Sequence, residues 1–269
     1  MRYSAWVLAI NSTTFSTQDQ PIESESSAAT LARSPSSTNR EMVLLLAVVW
    51  SVLGDPGVDT STWGAPWPAT SFACLRQAGH QFVVVEAFRR SSGVLADGLQ
   101  TARNARAAGF KDVQLYHFPD NLTDPITQVT DTIEAFGIAG NSSTFLWLDV
   151  EGPQYWGRPC ANNSAFLRSM VHAAHAQMGD RRVGIYSSKS QWEPITCGDT
   201  SFSDLPLWRP HYDGRQDNSD WNESSIGPFG GWSADDVVMK QYNGTTQTCA
   251  MKVDLNWRFH LPPARRLGA

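Results

Sequence analysis

The sequence has no excess of basic residues. Its 269 residues include 21 Lys and Arg against 26 Asp and Glu, a formal net charge of −5 at pH 7. Such a chain offers no broad basic field to hold phosphates, which argues against a nucleic-acid partner. Internal repeats of the solenoid type are also absent from the sequence. The length suits one large domain rather than an array of small ones.

The apolar run "MVLLLAVVWSVLG", residues 42–54, is too short to span a bilayer. It has the length of a signal-peptide core, so we predict a signal peptide there and no membrane association after its removal. A buried strand is the alternative. Residues 1–41 contain a Ser/Thr-rich stretch with few apolar residues, and are expected to be a disordered or mis-assigned extension. The folded domain is then expected at residues 55–269.

Cysteine is scarce, and no pair has the Cys-x-x-Cys spacing of a metal or redox site. The four cysteines are Cys74, Cys160, Cys197 and Cys249. An even set predicts two disulfides, and the sequence leaves all three pairings open. Five glycosylation sequons begin at Asn121, Asn141, Asn162, Asn222 and Asn243. Together these features predict a secreted protein, or one in the lysosomal or phagosomal lumen.

Short β-rich runs follow one another from residue 57, and the earlier runs are separated by helical patterns. The eight runs are residues 57–61, 82–88, 113–118, 145–151, 183–188, 205–212, 237–242 and 252–257. The helical patterns cover about residues 95–109, 125–136 and 162–178. This alternation predicts the α/β class and a (β/α) TIM-like barrel of parallel strands. The connections after residue 186 are rich in turn residues, which predicts that the last three β/α units of the barrel are irregular.

The stretch "TFLWLDVEGPQYW", residues 144–156, ends an apolar strand in two carboxylates. Asp149 and Glu151 lie two positions apart, so they share one face of the strand with Trp147. In a barrel, the C-terminal strand ends hold the chemistry. Two neighbouring negative charges raise the proton affinity of one of them, which suits a general acid beside an ionised partner.

Two further aspartates occupy equivalent strand positions. Asp59 lies in "GVDTS" on the first strand, and Asp254 lies in "KVDLNW" on the last. Because the first and last strands of a closed barrel are neighbours, all four carboxylates can share one mouth. For any one aspartate alone, a helix cap or loop hydrogen bond is the simpler explanation. The set of four predicts an active site.

Eight segments stand in the order found in glycoside hydrolase family 25, and especially resemble the secreted lysozymes of nematodes and amoebae. These are GVDTSTW, LYHFP, FLWLDVEG, GIYSSKSQWEPI, LPLWRPHYD, FGGW, MKQYNG and CAMKVDLNW. The resemblance covers roughly residues 57–257. It implies a metal-free N-acetylmuramidase that hydrolyses the β-1,4 bond between N-acetylmuramic acid and N-acetylglucosamine in peptidoglycan. It also implies a barrel that becomes irregular after its fifth strand.

The resemblance also implies roles for individual residues. Glu151 would be the general acid and then the base for water. Asp149 would stabilise positive charge or orient the acetamido group of the substrate as an internal nucleophile, and these two roles stay open. Asp59 and Asp254 would complete the electrostatic surroundings. The predicted sugar-binding aromatics are Tyr116, Trp208 and Tyr212. No cofactor or metal ion is expected. The protein is expected to be a monomer.

Some residues depart from the family pattern. Glu86 stands where many relatives have Lys or Arg, so an inward Glu86 would add negative charge to the mouth. Arg209 and Pro210 replace smaller or aromatic residues and are expected to reshape a subsite. His117 and His211 lie beside predicted site residues, and we expect both to be structural because the mechanism needs no imidazole.

Two other functions remain open at this point. A chitinase-type barrel also ends its fourth strand in Asp-x-Glu, but it carries further aspartates upstream, where this chain has Phe145 and Trp147. A barrel that binds sugars without cleaving them is the second alternative. Such a protein usually loses the acid first, and Glu151 is present.

Overall fold

The computed structural model describes residues 54–140 and 143–259. The predicted N-terminal extension and all but the last residue of the predicted signal peptide lie outside these residues. None of the helices in the described ranges has the length and apolar character needed to cross a membrane.

The strands form a single sheet that closes on itself. They are β1 (Asp55–Thr60), β2 (Phe82–Arg89), β3 (Gly93–Val94), β4 (Asp112–Phe118), β5 (Leu146–Asp149), β6 (Val183–Tyr186), β7 (Leu207–Pro210), β8 (Val237–Thr248) and β9 (Met251–Arg258). The pairing order is β1-β9-β8-β7-β6-β5-β4-β2-β3, and a further pairing of β1 with β2 closes the barrel. The short β3 extends the end of β2 outside the barrel. The predicted α/β barrel is confirmed.

The direction of the last strand differs from the prediction of an all-parallel barrel. Strands β1, β2 and β4 to β8 run parallel to one another, whereas β9 runs antiparallel to both β8 and β1. The physical reason is the connection. Cys249 and Ala250 turn the chain with φ values of 52° and 58°, so β9 returns at once, and a parallel return needs a crossover of about a dozen residues.

Within the described ranges, five α-helices cover the outer face of the sheet. They are α1 (Ala69–Gln77), α2 (Ala96–Ala107), α3 (Pro125–Phe136), α4 (Cys160–Met178) and α5 (Lys189–Thr196). Helix α3 begins as predicted, because the side chain of Asp124 accepts from the Thr127 amide, and it ends at Gly137 with φ 61°. Between β7 and β8 the described chain has only 3₁₀ turns, Ser219–Asn222 and Ala234–Asp236. The predicted irregularity of the last units is confirmed.

Side-chain alternation along the strands separates two cores. On β5, Leu146 and Leu148 face outward and join the large core beneath the helices. Trp147 faces inward and fills the barrel with a second set of side chains, Phe82, Val84, Tyr186, Trp208 and Met239. Each such large buried side chain stabilises the fold by about 1.5–3 kcal/mol. This inner plug closes the barrel below its C-terminal mouth.

Two disulfides connect the helices to other elements. Cys74 on α1 is bonded to Cys249 in the β8–β9 turn, 175 residues away in sequence. Cys160 at the start of α4 is bonded to Cys197 just after α5. The prediction of two disulfides is confirmed, and the structure selects this pairing from the three that the sequence left open.

Candidate active site

A cavity of about 130 Å³ lies at the C-terminal mouth of the barrel. Its lining contains all seven of the predicted catalytic and sugar-binding residues, namely Asp59, Tyr116, Asp149, Glu151, Trp208, Tyr212 and Asp254. Two residues that the sequence analysis did not assign to the site, Tyr186 and Gln241, complete the lining. The structure therefore brings together the acidic residues of β1, β5 and β9, as their strand positions predict.

Strand register places these carboxylates. Asp59 on β1 is directly opposite Asp254 on β9, and Asp149 at the end of β5 is opposite Tyr186 on β6. Glu151 lies two residues beyond the end of β5. Its carbonyl oxygen accepts from Trp156 Nε1 at 2.9 Å, which fixes the backbone where the strand ends.

The turn after Glu151 is also fixed. Gly152 has φ 66°, and a Cβ at this position would lie 2.5 Å from the ring of Tyr155. The Gly152 amide donates to Gln191 Oε1 at 2.7 Å. A side chain here would force the turn to shift, so glycine keeps Glu151 at the mouth.

Gln241 connects the acidic side chains to the tyrosines. Its Nε2 donates to Asp59 Oδ2 at 2.7 Å and to Asp254 Oδ2 at 3.2 Å. Its Oε1 accepts from the hydroxyls of Tyr186 and Tyr212, both at 2.8 Å. Neutral amide and hydroxyl dipoles thus hold this side of the site in place.

A second amide supports the same aspartate. Asn256 Nδ2 donates to Asp59 Oδ2 at 2.6 Å, and Asn256 Oδ1 accepts from Trp208 Nε1 at 2.8 Å. Trp208 is only 2% exposed. It therefore forms the floor of the cavity and positions Asn256, rather than presenting an open ring face.

None of the four carboxylates has an ion-pair partner among the described residues, and each has a raised pKa. Burial, and then the charge of Asp254, raises the pKa of Asp59. Burial, and then the charge of Glu151, raises the pKa of Asp149. Burial and the Asp254 charge raise the pKa of Glu151, and burial raises that of Asp254. The cluster therefore retains protons at pH values where ordinary carboxylates are ionised.

Of the four carboxylates, Asp149 is the one with a buried and unsatisfied oxygen among the described residues. Its Oδ1 atom is buried and has no hydrogen-bond partner among the residues that the structure describes. An unpartnered buried carboxylate oxygen is costly, so it marks a place where a ligand group can donate a hydrogen bond. Asp149 is thus poised to interact with a substrate rather than with the scaffold.

Glu86 faces the barrel interior, and its charge is neutralised locally. Arg89 Nε donates to Glu86 Oε1 at 2.8 Å, and Arg89 Nη2 bonds the other carboxylate oxygen. The register between β2 and β4 shifts between Glu86 and Phe88, and this irregularity brings Arg89 round to Glu86. Arg89 therefore offsets part of the negative charge that the inward Glu86 adds to the mouth.

The tyrosines at the mouth keep their protons. Burial, and then the charge of Glu86, raises the pKa of Tyr116, and burial raises that of Tyr186. Burial and the charge of Asp254 raise the pKa of Tyr212 to about 12. Tyr116 can therefore donate its hydroxyl proton to a polar ligand, whereas the hydroxyl protons of Tyr186 and Tyr212 are donated to Gln241 Oε1, which leaves their oxygens as acceptors. Tyr212 is 58% exposed and presents an open ring at the edge of the mouth.

Among the described residues, neither histidine forms a hydrogen bond or ion pair with Asp59, Asp149, Glu151 or Asp254. His117 is fully buried, contacts Thr132 Oγ1 at 3.0 Å and Gln128 Oε1 at 3.1 Å, and stacks on Phe88 at 4.1 Å. Burial lowers its pKa to about 4. These contacts are those of a packing residue.

His211 belongs to an ion-pair cluster beside the mouth, formed by Arg209, His211, Asp213, Asp220 and Lys240. Lys240 Nζ lies 2.9 Å from Asp213 Oδ2 and 3.4 Å from Asp220 Oδ2, and Arg209 and His211 both bond Asp220. The ligand atoms of His211, Asp213 and Asp220 fall within 4.8 Å of one another, a spacing compatible with a metal ion. Lys240 and Arg209 already supply positive charge to these oxygens, so the set does not fit a resident metal.

Two larger cavities flank the central one. One of about 320 Å³ shares Glu151, Tyr186 and Tyr212 with it. The other, of about 310 Å³, shares Asp59, Tyr116 and Asp254 with it. Arg209 and Pro210 line the first, as expected for residues that shape a subsite. Together the three form a groove across the mouth with the carboxylates at its centre.

Sequence reasoning missed three residues of the site. Gln241 on β8 lines the central cavity and bonds Asp59. Tyr186 ends its strand opposite Asp149, and Asn256 follows Asp254 by two positions on the same strand. A strict count of alternate positions at the strand ends would have found both.

A barrel whose C-terminal mouth gathers paired carboxylates in an open groove defines the class of α/β-barrel glycoside hydrolases. A family model described as lysozyme-like protein 1 matches residues 55–242. The probable GH family 25 lysozyme 2 of Dictyostelium discoideum is 35% identical over 218 residues, which cover 80% of this chain and 96% of that protein. Lysozyme-like protein 5 of Caenorhabditis elegans is 35% identical over 205 residues, or 75% and 90% of the two chains.

A solved muramidase structure from Acremonium alcalophilum superposes with a TM-score of 0.61 at 20% identity, and covers 78% of this chain and 96% of that one. It supports the fold. The chain belongs to glycoside hydrolase family 25 and is a glycoside hydrolase. The resemblance carried by its motifs is confirmed.

Proposed function

We propose that the protein is a lysozyme that hydrolyses the β-1,4 bond between N-acetylmuramic acid and N-acetylglucosamine in bacterial peptidoglycan. The observation that carries this proposal is the groove with its central carboxylates. An open groove accepts a chain polymer in its middle, whereas a closed pocket accepts only a chain end. The names of the relatives point to the same substrate.

Glu151 acts as the general acid. It lines both the central cavity and the 320 Å³ cavity, so it lies where a glycosidic oxygen would join sugars held in those two places. Its raised pKa keeps a proton available. Glu151 protonates the leaving oxygen, and the resulting carboxylate then takes a proton from the attacking water.

Asp149 acts on the sugar in the central cavity. Its unpartnered Oδ1 accepts from the acetamido N–H and orients that group as an internal nucleophile, or the ionised carboxylate stabilises the oxocarbenium-like transition state directly. Asp59 and Asp254, held by Gln241, contribute further negative charge as positive charge develops.

A secreted or lysosomal location fits this substrate. The two disulfides require an oxidising compartment. Sequon residues Asn162, Asn222 and Asn243 are exposed and open to glycan attachment, whereas Asn121 is buried. Asn141 lies outside the described residues.

Clearing of a peptidoglycan suspension tests the proposal. We expect the wild type to clear it and Glu151→Gln to be slower by about 10²–10⁴-fold, the range for loss of a general acid–base. Glu134→Gln, the same change at an exposed position on α3, is the matched control and should retain full activity. Cleavage of chitin oligomers alone would favour a chitinase, and binding without cleavage would favour a sugar-binding barrel.

A further inference from the structure

Trp63 is an exposed aromatic side chain that is nevertheless held in place. It is 77% exposed, in the loop after β1. The guanidinium carbon of Arg89 lies 3.8 Å from its ring centroid, a cation–π contact that covers part of the ring. Trp63 also lines the 310 Å³ cavity together with Asp59 and Asp254. A large apolar ring at this place, beside the carboxylates, is not explained by core packing.

Arg89 is itself anchored from inside the barrel. Its Nε bonds Glu86 Oε1 at 2.8 Å, and Glu86 is only 3% exposed. Its Nη2 also donates to the Thr62 carbonyl at 2.6 Å, so the same guanidinium holds both the loop backbone and the ring. The planar fork of Arg suits this double task. Glu86, Arg89 and Trp63 thus form a rigid support that ends in an exposed aromatic ring.

The 310 Å³ cavity combines this ring with hydroxyl and carboxylate groups. Thr60 and Ser61 line it beside Asp59 and Asp254. A pyranose has an apolar C–H face and a rim of hydroxyls, which match an aromatic ring bordered by polar groups. At the other side of the central cavity Tyr212 presents a second exposed ring. The groove therefore carries an open aromatic surface on each side of its carboxylates.

We propose that Trp63 is the stacking platform of a further sugar subsite in the 310 Å³ cavity, with Arg89 as its positioning residue. This inference rests on the proposed function for the direction of the glycan. Glu151 lines both the central cavity and the 320 Å³ cavity. The cleaved bond therefore lies between the sugar that contacts Asp149 in the central cavity and the sugar in the 320 Å³ cavity. The Trp63 subsite then binds the next sugar of the glycan on the opposite side of the central cavity from the leaving group.

Binding to a Glu151→Gln parent tests the subsite without cleavage. The probe is a soluble tetrasaccharide of alternating N-acetylglucosamine and N-acetylmuramic acid, measured by calorimetry. We expect Trp63→Ala to weaken binding about tenfold and Trp63→Phe to stay within about threefold of the parent, because a phenyl ring retains much of the stack. Leu122→Ala is the control, since Leu122 is also 77% exposed but lines none of the three cavities.

The role of Arg89 is tested by a double-mutant cycle. Arg89→Lys keeps the charge but cannot bond Glu86 and Thr62 through one planar group. It should weaken tetrasaccharide binding severalfold when Trp63 is present and have no further effect in Trp63→Ala. Equal losses in both backgrounds would overturn the positioning role.

Trp63→Ala binding within twofold of the parent, or no tetrasaccharide binding by the parent, would overturn the subsite. If Trp63→Ala binds normally while the wild type clears peptidoglycan, only this inference fails. If the wild type does not clear peptidoglycan but tetrasaccharide binding depends on Trp63, the proposed hydrolysis fails and the subsite stands.

Discussion

Two buried aspartates at the same end of the barrel behave in opposite ways. Asp149 is 7% exposed and Asp220 is 1% exposed. Burial raises the pKa of Asp149, and the charge of Glu151 raises it further. Burial alone would raise the pKa of Asp220 too, but hydrogen bonds from Arg209 and His211 lower it overall. At Asp220 the cationic neighbours outweigh burial, whereas at Asp149, which has no cation beside it among the described residues, burial sets the direction of the pKa shift.

The opposite pKa shifts correspond to two roles, because Asp220 stabilises the fold and Asp149 belongs to the candidate active site. In the ion-pair cluster, cations neutralise the carboxylates, which fixes the chain beyond β7 where no helix covers it. In the groove, the amides of Gln241 and Asn256 support Asp59 and Asp254, and the described residues bring no cation to any of the four carboxylates. A cation there would lower the pKa of the general acid and remove its proton. The groove therefore keeps negatively charged groups close together without a cation, whereas the ion-pair cluster pairs its carboxylates with cations.

The largest expected effect is on stability in the ion-pair cluster. Asp220→Asn leaves Arg209 and Lys240 buried without their shared carboxylate, so we expect a loss of about 3–5 kcal/mol in the free energy of unfolding. Denaturant unfolding at pH 7 measures this loss. Asp149→Asn, the same chemical change at a site without a cation, is the control and should not destabilise. Equal losses in the two variants would show that burial alone matters.

The next effect is on activity at the groove. Asp149→Asn should slow peptidoglycan clearing by about 10²–10³-fold, because an amide neither stabilises positive charge nor orients the acetamido group in the same way. Asp220→Asn, assayed well below its melting temperature, should stay within a few-fold of the wild type. Near-normal clearing by Asp149→Asn would remove Asp149 from the mechanism.

The smallest effect is a gain in stability that depends on pH. Because its folded-state pKa is raised, Asp149 stays protonated when the unfolded chain has lost that proton. Stability is therefore highest below the unfolded pKa, about 4, and falls as pH rises towards the folded value. Asn has no such titration.

Asp149→Asn should thus match the wild type at pH 3.5 and exceed it by about 1 kcal/mol at neutral pH. Melting temperatures across this pH range, with the exposed Glu134→Gln variant as control, measure the difference. A gap that is constant with pH, or that shrinks as pH rises, would contradict the raised pKa.

Much of the fold follows from local pattern. Apolar runs locate all eight barrel strands, and alternation on β5 correctly assigns Trp147 to the interior and Leu148 to the outer core. The direction of β9 escapes such reasoning, because alternation is the same for parallel and antiparallel strands. Helix α5 escapes it as well, since Pro194 inside the helix conceals the pattern.

Long-range pairing limits what sequence can say about the site. The position of the carboxylates follows from strand ends, but their amide support comes from β8 and β9, far from β5 in sequence. The pairing of Glu86 with Arg89 depends on an irregular strand, since regular alternation would put residues three apart on opposite faces. Three-dimensional structure is needed to show which charges are compensated.

The position of β9 between β1 and β8 has a consequence for biosynthesis. The barrel can close only after β9 has left the ribosome, and that strand also brings Asp254 and Asn256 to Asp59. A nascent or truncated chain that stops before residue 251 therefore has a gap between β1 and β8 and lacks Asp254, one of the four site carboxylates. The acidic groove is therefore complete only once β9 is in place.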